Sequence, residues 1–182
     1  MSRIDTDRPF LPVRVAVLTV SDTRSLEEDR SGDTLVARLE AAGHTLQDRA
    51  IVPDEPQHIK AAVENWTQDP SVDVILTTGG TGFTGRDITP ETVEALFDKR
   101  MDGFSVLFHQ LSSAKIGTST VQSRATAGLV GTTFVFCLPG SPGACKDAWD
   151  GILQAQLDYR HRPCNFVEIM PRLDEHMRRG AS

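Results

Sequence analysis

Short apolar runs alternate with longer amphipathic stretches along most of this chain. Residues 13–20, 72–76 and 133–138 are rich in aliphatic and β-branched side chains and are too short to form helices. Such runs are typical of strands that are buried on both faces of a sheet. Residues 45–52 have apolar members but a polar middle, which predicts a strand at the edge of the same sheet.

Helices are predicted in the stretches between these strands. Ser31 is placed to cap a helix whose apolar positions fall on one face and which ends at Gly43. Further helices are predicted around residues 59–66, 93–97, 104–111 and 144–160. Alternating strands and helices without an internal repeat require right-handed crossovers. The predicted fold is therefore α/β, a three-layer sandwich with a mostly parallel central sheet and helices on both faces.

The length and composition predict one globular domain. The chain has 182 residues, of which 39% are hydrophobic and 24% are charged, close to the averages of globular proteins. A chain of this length buries a substantial core as a single unit. We expect residues 13–172 to form that domain, with residues 1–12 as an N-terminal extension and residues 173–182 as a C-terminal tail.

Charge and cysteine content narrow the classes of function. A net charge of −6 argues against general binding to nucleic acids or membrane surfaces, and no run approaches the roughly 20 apolar residues of a membrane helix. The cysteines, Cys137, Cys145 and Cys164, form no Cys-x-x-Cys pair and lack metal-ligand spacing. An odd cysteine count without a signal sequence favours a reducing compartment, so we expect a cytoplasmic protein. Cys137 lies inside an apolar run and is expected to be a small buried hydrophobe.

The most informative stretch is residues 77–91, where a predicted strand runs through four glycines into a helix start. Thr89 and Pro90 are predicted as the N-cap and the first helical residue. Glycine has no Cβ, so backbone N–H groups in such a loop can approach an anion closely. Arg86 adds a positive charge, and Asp87 adds a carboxylate that could hold a divalent cation. The stretch therefore suits a bound polyphosphate with its metal.

The alternative is a long glycine turn in which Asp87 and Thr89 only cap the next helix. Ordinary strand-to-helix turns need about two to six residues, and this loop is longer, which favours a binding function. No Gly-Lys-Ser/Thr follows, so the loop is not a Walker motif. An oxidoreductase with a nicotinamide cofactor is not favoured either, because the first strand leads into residues 21–24 without a glycine fingerprint.

Four polar or glycine-rich segments follow predicted strands, at residues 21–22, 53–54, 77–87 and 139–143. Ligands of open parallel sheets bind outside the carboxyl ends of the strands. Because parallel strands bring all four segments to one edge, we expect a shared site there. A turn or helix cap explains residues 21–22 equally well, and a sharp strand-to-helix turn explains residues 139–143 equally well.

Five motifs in a fixed order resemble a known family. They are Leu-Thr-Val-Ser-Asp at residues 18–22, Asp-Arg-Ser-Gly at 29–32, Thr-Gly-Gly-Thr-Gly at 78–82, Arg-Asp-Ile-Thr-Pro-Glu at 86–91 and Leu-Pro-Gly-Ser-Pro-Gly at 138–143. This set resembles the MoaB/MogA family of molybdenum cofactor biosynthesis proteins over roughly residues 13–172. Residues 156–160 and 162–166 are similar to the protein B branch in particular.

The resemblance implies a molybdopterin adenylyltransferase, which converts molybdopterin and ATP into adenylylated molybdopterin and pyrophosphate with Mg²⁺. It also implies a homo-oligomer, a trimer or a hexamer. The two aspartates that matter for catalysis in the family match Asp54 and Asp87, which would also hold the metal. Some protein B members are thought to carry other residues at both places and to lack this activity. A protein B body with both aspartates favours an active enzyme, and the alternative is a non-catalytic molybdopterin-binding protein.

Adenylyl transfer requires charge neutralisation and positioning, and the acceptor phosphate is already an anion, so no serine–histidine nucleophile is required. Nucleotide or phosphate binding is expected of Thr78, Gly79, Gly80, Thr81, Gly82, Arg86, Thr89 and Glu91. Pterin binding is expected of Ser21, Asp22, Ser123, Arg124, Pro139, Gly140, Ser141, Pro142 and Gly143. For Arg124 the alternative is a side chain that lies along the protein surface with its charge in water.

Overall fold

The computed structural model of the chain describes residues 3–175. Its strands are β1 (Arg3–Ile4), β2 (Arg14–Val20), β3 (Thr45–Val52), β4 (Val74–Thr78), β5 (Lys99–Arg100), β6 (Thr126–Val130), β7 (Thr133–Leu138) and β8 (His161–Arg162). Its helices are α1 (Arg30–Ala41), α2 (Pro56–Gln68), α3 (Thr89–Glu94), α4 (Asp102–Ile116), α5 (Pro142–Ala148), α6 (Gln154–Gln156) and α7 (Phe166–Ile169). Tight 3₁₀ turns cover Gly117–Gln122 and Met170–Arg172, and a wide π-helical turn covers Trp149–Leu153.

The central sheet has six strands in the order β3-β2-β4-β7-β6-β5. The first four are mutually parallel, whereas β6 and β5 continue the sheet in antiparallel pairings. The prediction of a mostly parallel sheet is therefore confirmed. The strand predicted at residues 45–52 lies at the edge of the sheet, as its polar middle indicated.

Helices cover both faces of the sheet. Successive strand residues point to opposite faces, so β2 directs Val15 and Val17 to one side and Ala16 and Leu18 to the other. The first pair packs in a core built with α1, α4 and α5, and the second pair packs in a core built with α2 and α3. The three-layer prediction is confirmed, and Cys137 is fully buried in β7 as expected.

Two predicted helix caps were wrong. The cap of α1 is Asp29, whose carboxylate accepts a hydrogen bond from the Gly32 amide at 2.9 Å, and Ser31 lies inside the first turn. A carboxylate caps a helix as well as a hydroxyl does, so the residue type alone does not favour Ser31 over Asp29. Thr89 is the first residue of α3 rather than its cap, and the capping position is taken by Ile88 without a side-chain bond.

Several segments differ from the predicted elements. Strands β5 and β6 were not expected, and β6 forms an antiparallel hairpin with β7. The last long helix was predicted over residues 144–160 but is interrupted by the π-helical turn and ends at Gln156. Within residues 3–175, no helix is both long enough and apolar enough to span a bilayer.

The described part of the N-terminal extension is anchored to the rest of the chain. Strand β1 pairs antiparallel with β8. The Arg8 guanidinium donates to the Glu168 carboxylate at 3.0 Å and lies 4.5 Å from the centre of the Tyr159 ring. Phe10 stacks at a tilt on His44, with ring centres 5.2 Å apart. The domain boundaries at residues 13 and 172 stay predictions, and most of the tail at 173–182 lies outside the described residues.

Candidate functional site

The carboxyl ends of β2, β3, β4 and β7 lie along one edge of the sheet, because these strands are parallel and adjacent. A cavity of about 360 Å³ opens at this edge. Segments that follow all four strands contribute to its walls. Of the predicted site residues, the cavity brings together Ser21, Asp54, Gly79, Gly80, Thr81, Gly82, Asp87, Ser123, Pro139, Gly140 and Ser141.

Asp54 and Asp87 both approach the glycine loop of residues 79–82. A methyl group added at Gly80 would lie 2.9 Å from Oδ1 of Asp54, and one added at Gly82 would lie 2.8 Å from Oδ2 of Asp87. The two carboxylates therefore lie against the same short stretch of backbone and line the same cavity.

The two carboxylates have opposite pKa shifts. Burial raises the pKa of Asp54, and the negative charges of Asp22 and Asp87 raise it further. Burial alone would also raise the pKa of Asp87, but hydrogen bonds from the Thr84 side chain and from the Thr84 and Gly82 amides lower it below its ordinary value. Burial and nearby negative charges disfavour an ionised carboxyl group, whereas hydrogen bonds to the carboxylate favour it. Asp87 is therefore the firmly ionised member of the pair.

The carboxylate oxygens of Asp54 and Asp87 are donors of the kind that binds Mg²⁺, and both residues line the cavity. Within residues 3–175, no three His, Cys, Asp or Glu side chains are arranged to hold a metal ion by themselves. Mg²⁺ is usually bound through one or two carboxylates, with phosphates and waters as the remaining ligands. A bound cation would also relieve the repulsion that raises the pKa of Asp54.

The backbone of the glycine loop presents amides to the cavity. Gly79 and Gly80 have φ angles of +105° and +63°, which side chains rarely adopt, and a methyl group at Gly79 would overlap the Val20 carbonyl oxygen. The Gly79 amide donates to the Leu138 carbonyl at 3.1 Å. The amides of Gly80 and Thr81 have no hydrogen-bond acceptor in the part of the chain that the structure describes. They are thus available to an anion.

Arg124 holds this loop in place. Its Nε donates to the Gly82 carbonyl at 2.7 Å, and its Nη2 donates to the Asp87 carbonyl at 2.7 Å. Its Nη1 pairs with the Glu91 carboxylate, and the guanidinium lies 5.2 Å from the centre of the Phe83 ring. Neither Arg124 nor Glu91 lines the cavity. The side chain is therefore bound to the loop rather than extended into water.

Asp22 and Arg86 form an ion pair at the rim of the cavity. Asp22 accepts hydrogen bonds from the Asp54 amide at 3.0 Å and from the Arg86 guanidinium at 2.7 and 2.9 Å. This pair joins the segments that follow β2, β3 and β4. Both side chains lie outside the cavity lining, and both are exposed.

The other predicted residues lie beneath or beside the cavity. The Thr78 hydroxyl donates to the Pro139 carbonyl at 3.0 Å, whereas the fully buried Thr89 hydroxyl has no partner within residues 3–175. Ser141 caps α5 by accepting from the Ala144 amide at 3.2 Å, and Pro142 and Gly143 form the first turn of that helix. The turn interpretation of residues 139–143 is thus correct, although three of these residues also line the cavity.

Ser21 likewise serves both roles. Its hydroxyl accepts from the Thr23 and Arg24 amides, each at 3.3 Å, as expected of a turn, and it also lines the cavity. The sequence interpretation gave no role to two polar residues that also line the cavity, Arg24 and Gln122. For Arg24 there was a usable signal, since it is a basic residue at the carboxyl end of a buried strand.

Comparison with known proteins places the whole site in one family. The sequence profile described as "Probable molybdopterin binding domain" matches residues 16–159, which include every strand end that borders the cavity. The chain belongs to this molybdopterin-binding-domain family. Together with the relatives described next, this match confirms the resemblance to the MoaB/MogA family.

Relatives within this molybdopterin-binding-domain family match over nearly their whole length. "Molybdenum cofactor biosynthesis protein B" of Escherichia coli (strain K12) is 47% identical over 166 residues, 91% of this chain and 96% of the relative. A crystal structure of a molybdenum cofactor biosynthesis protein B superposes with a TM-score of 0.83 at 38% identity, covering 92% of this chain and 99% of that one. The tungsten cofactor synthesizing protein MoaB from Pyrococcus furiosus superposes with a TM-score of 0.70 at 37% identity, covering 78% and 91%.

Proposed function

We propose that this protein acts in molybdenum cofactor biosynthesis and adenylylates molybdopterin with Mg-ATP, releasing pyrophosphate. Membership of the molybdopterin-binding-domain family and 47% identity to a protein named for that pathway support the pathway and the pterin. One observation carries the reaction itself. The unpartnered amides of Gly80 and Thr81 share a cavity with the carboxylates of Asp54 and Asp87.

In the proposed reaction, a phosphate oxygen of molybdopterin forms a bond to the α-phosphorus of ATP. The bond from that phosphorus to its bridging oxygen breaks, and pyrophosphate leaves with the electron pair. Because the attacking oxygen is already anionic, no side chain has to remove a proton. The protein has to align the two phosphates and offset their charge.

The residues of the cavity divide these tasks. The Gly80 and Thr81 amides donate to phosphate oxygens, as backbone amides do in other phosphate-binding loops. Asp54 and Asp87 hold Mg²⁺, which when bound neutralises phosphate charge. Arg124 and the Asp22–Arg86 pair act on the loop and the Asp54 backbone rather than on the substrate.

The pterin is proposed to use the remaining wall of the cavity. Ser21, Ser123 and the carboxyl end of β7 at Pro139–Ser141 supply that wall. The Ser123 hydroxyl is buried and has no partner within residues 3–175, so it is available to a polar group of the ligand.

We further propose a cytoplasmic homo-oligomer, a trimer or a hexamer. The free thiols of Cys137, Cys145 and Cys164 support a reducing compartment. Three of the large apolar side chains that are more than half exposed, Val106, Ile116 and Val121, lie on α4 and the turn that follows it, and contact with a second copy would cover them.

Pyrophosphate release tests the reaction and separates it from the alternative of a non-catalytic molybdopterin-binding protein. The protein is mixed with ATP, molybdopterin or both, with Mg²⁺ or with EDTA, and pyrophosphate is measured with a coupled phosphatase assay. The proposal expects release only when ATP, molybdopterin and Mg²⁺ are all present. Saturable molybdopterin binding without pyrophosphate release would instead establish the binding protein.

A further inference from the structure

Arg24 is the one basic residue among the described residues that line the cavity. Arg86 and Arg124 are each neutralised by a carboxylate, from Asp22 and Glu91 respectively. Arg24 has no carboxylate partner within 4.0 Å in residues 3–175, and its hydrogen bonds go to neutral oxygens. It donates through Nη1 to the Ser31 hydroxyl at 2.7 Å and through Nη2 to the Gly140 carbonyl at 3.1 Å.

A buried network fixes the guanidinium at the cavity wall. The Ser31 hydroxyl that accepts from Arg24 donates in turn to Asp29 at 3.3 Å. Asp29 is fully buried and also accepts from the Thr19 hydroxyl at 2.6 Å and from Arg49 at 2.8 Å. The Asp-Arg-Ser-Gly motif at residues 29–32 therefore positions the Arg24 side chain as well as capping α1.

This arrangement leaves most of the Arg24 donors free. A guanidinium has five N–H groups in a fork that matches phosphate oxygens, and only two of the five are used within residues 3–175. The cavity otherwise holds two carboxylates, which repel anionic ligands. A positively charged group with spare donors is what a phosphate ligand requires here.

We propose that Arg24 binds a phosphate group of the substrate directly and that residues 29–31 hold it in position. This inference rests on the proposed function, because the proposed reaction supplies the identity of the substrate. The phosphate belongs either to molybdopterin or to ATP, and both present the same chemistry to a guanidinium.

The experiment compares Arg24→Gln and Arg24→Lys with the unmodified protein. Glutamine keeps the capacity to donate hydrogen bonds but carries no charge, and lysine keeps the charge. Arg38→Gln is the matched control, because Arg38 pairs with Asp150 and does not line the cavity. Calorimetry measures the affinity for molybdopterin alone and for a non-hydrolysable ATP analogue alone, at two salt concentrations, and thermal melting checks the fold.

We expect Arg24→Gln to weaken binding of one of the two ligands on the order of tenfold, with a smaller dependence on salt. Arg24→Lys recovers part of the affinity, and Arg38→Gln leaves it unchanged. The ligand that is affected identifies the phosphate that Arg24 holds.

Unchanged affinity for both ligands in Arg24→Gln would overturn the inference. Equal losses in the glutamine and lysine variants, with an unchanged salt dependence, would also overturn it, because they would mark a purely structural role. The proposed function fails separately: a protein that releases no pyrophosphate but loses affinity in Arg24→Gln retains the phosphate-binding arginine without the reaction.

Discussion

Asp54 and Asp87 line one cavity in different electrostatic settings. Burial and neighbouring carboxylates raise the pKa of Asp54, whereas the hydrogen bonds from Thr84 and Gly82 outweigh burial and lower the pKa of Asp87. The pair thus combines one carboxyl group that is readily ionised with one whose ionised form is disfavoured by its surroundings. The effects of substituting each aspartate follow from this difference.

Substituting Asp87 is expected to impair turnover strongly. Asp87→Asn keeps the size of the side chain but removes the charge that would hold Mg²⁺. We expect turnover to fall on the order of a hundredfold, which corresponds to about 3 kcal/mol of lost stabilisation. Steady-state pyrophosphate release measures it, with Asp150→Asn, a surface residue paired with Arg38, as the control. Unchanged turnover in Asp87→Asn would remove the metal role from this residue.

Substituting Asp54 is expected to separate activity from stability. Because the folded-state pKa of Asp54 is raised, the folded chain binds this proton more tightly than the unfolded chain does, and ionisation of Asp54 opposes folding above that pKa. Asp54→Asn should therefore raise the melting temperature at pH 7 while abolishing turnover. The stability gain should vanish as the pH falls through the folded-state pKa of Asp54. Melting curves between pH 3 and pH 7 check this, and a lower melting temperature at pH 7 would contradict it.

The sequence indicated which residues border the site more readily than it indicated their hydrogen-bond partners. Asp54, Asp87 and the glycines at 79, 80 and 82 line one cavity, as expected of residues that follow parallel strands. The roles of the arginines could not be read from the chain, because their partners are distant in sequence. Arg124 donates to a carbonyl 42 residues away, and Arg24 donates to one 116 residues away.

Two elements shape the cavity, namely the turn after β4 and the start of α1. The turn depends on Gly79, whose φ of +105° and contact with the Val20 carbonyl exclude a side chain. The start of α1 depends on Asp29, which joins the helix to β2 through Thr19 and to β3 through Arg49. Each element offers a matched pair of substitutions.

The turn after β4 can be tested with two glycines of the same loop. Gly79→Ala should destabilise the protein by about 3 kcal/mol. The alanine backbone would be strained at a φ of +105°, and its methyl group would overlap the Val20 carbonyl oxygen. Gly85→Ala is the control, since nothing lies within 4 Å of an added methyl group there. Urea unfolding measures both free energies. Similar values for the two variants would contradict the described turn.

The start of α1 can be tested with two carboxylates that share one partner. Asp29 and Asp33 both pair with Arg49 at 2.8 Å, but the Asp29 side chain is 0% exposed and that of Asp33 is 57% exposed. Asp29→Ala should cost about 3 kcal/mol of unfolding free energy, because it removes the buried carboxylate that accepts from the Thr19 hydroxyl and from Nη2 of Arg49. Asp33→Ala should cost less than about 1 kcal/mol, because that carboxylate is exposed. Urea unfolding checks the ranking, and equal costs would contradict it.

The pKa of Asp29 predicts that the free energy of unfolding depends on pH. Burial would raise the pKa of Asp29, but hydrogen bonds from Thr19, Arg49 and Gly32 lower it below its ordinary value. The ionised Asp29 side chain therefore stabilises the folded chain at pH values above its pKa in the unfolded chain. This stabilisation is lost as the pH falls through the lower pKa of the folded state. In Asp29→Ala this part of the acid destabilisation should be absent.

Elements with a clear hydrophobic pattern were predicted well, and elements without one were missed. The central strands and the helices with one apolar face appear where the pattern placed them. Strand β6 was missed because its five residues include a central glycine, although Gly131 between two short runs is a hairpin signal. The break in the last helix had only Gly151 as a signal, and that glycine packs against Leu111 from α4, a contact that no local pattern reveals.

At the scale of the whole molecule, the parallel sheet creates the site. Four neighbouring parallel strands deliver their carboxyl ends to one edge, so segments separated by more than 100 residues border a single cavity. This convergence was predictable, because it follows from the alternation of strands and helices. The cavity brings the glycine loop of residues 79–82 together with the carboxylates of Asp54 and Asp87, and the proposed adenylyl transfer depends on that combination.

Transfer of label from ATP carrying a radioactive α-phosphate to molybdopterin tests this claim most directly. The account predicts that the protein moves the label onto molybdopterin in the presence of Mg²⁺, with one pyrophosphate released per label transferred, and that the Asp54→Asn/Asp87→Asn double variant moves almost none. Tight molybdopterin binding with no label on the pterin would contradict it.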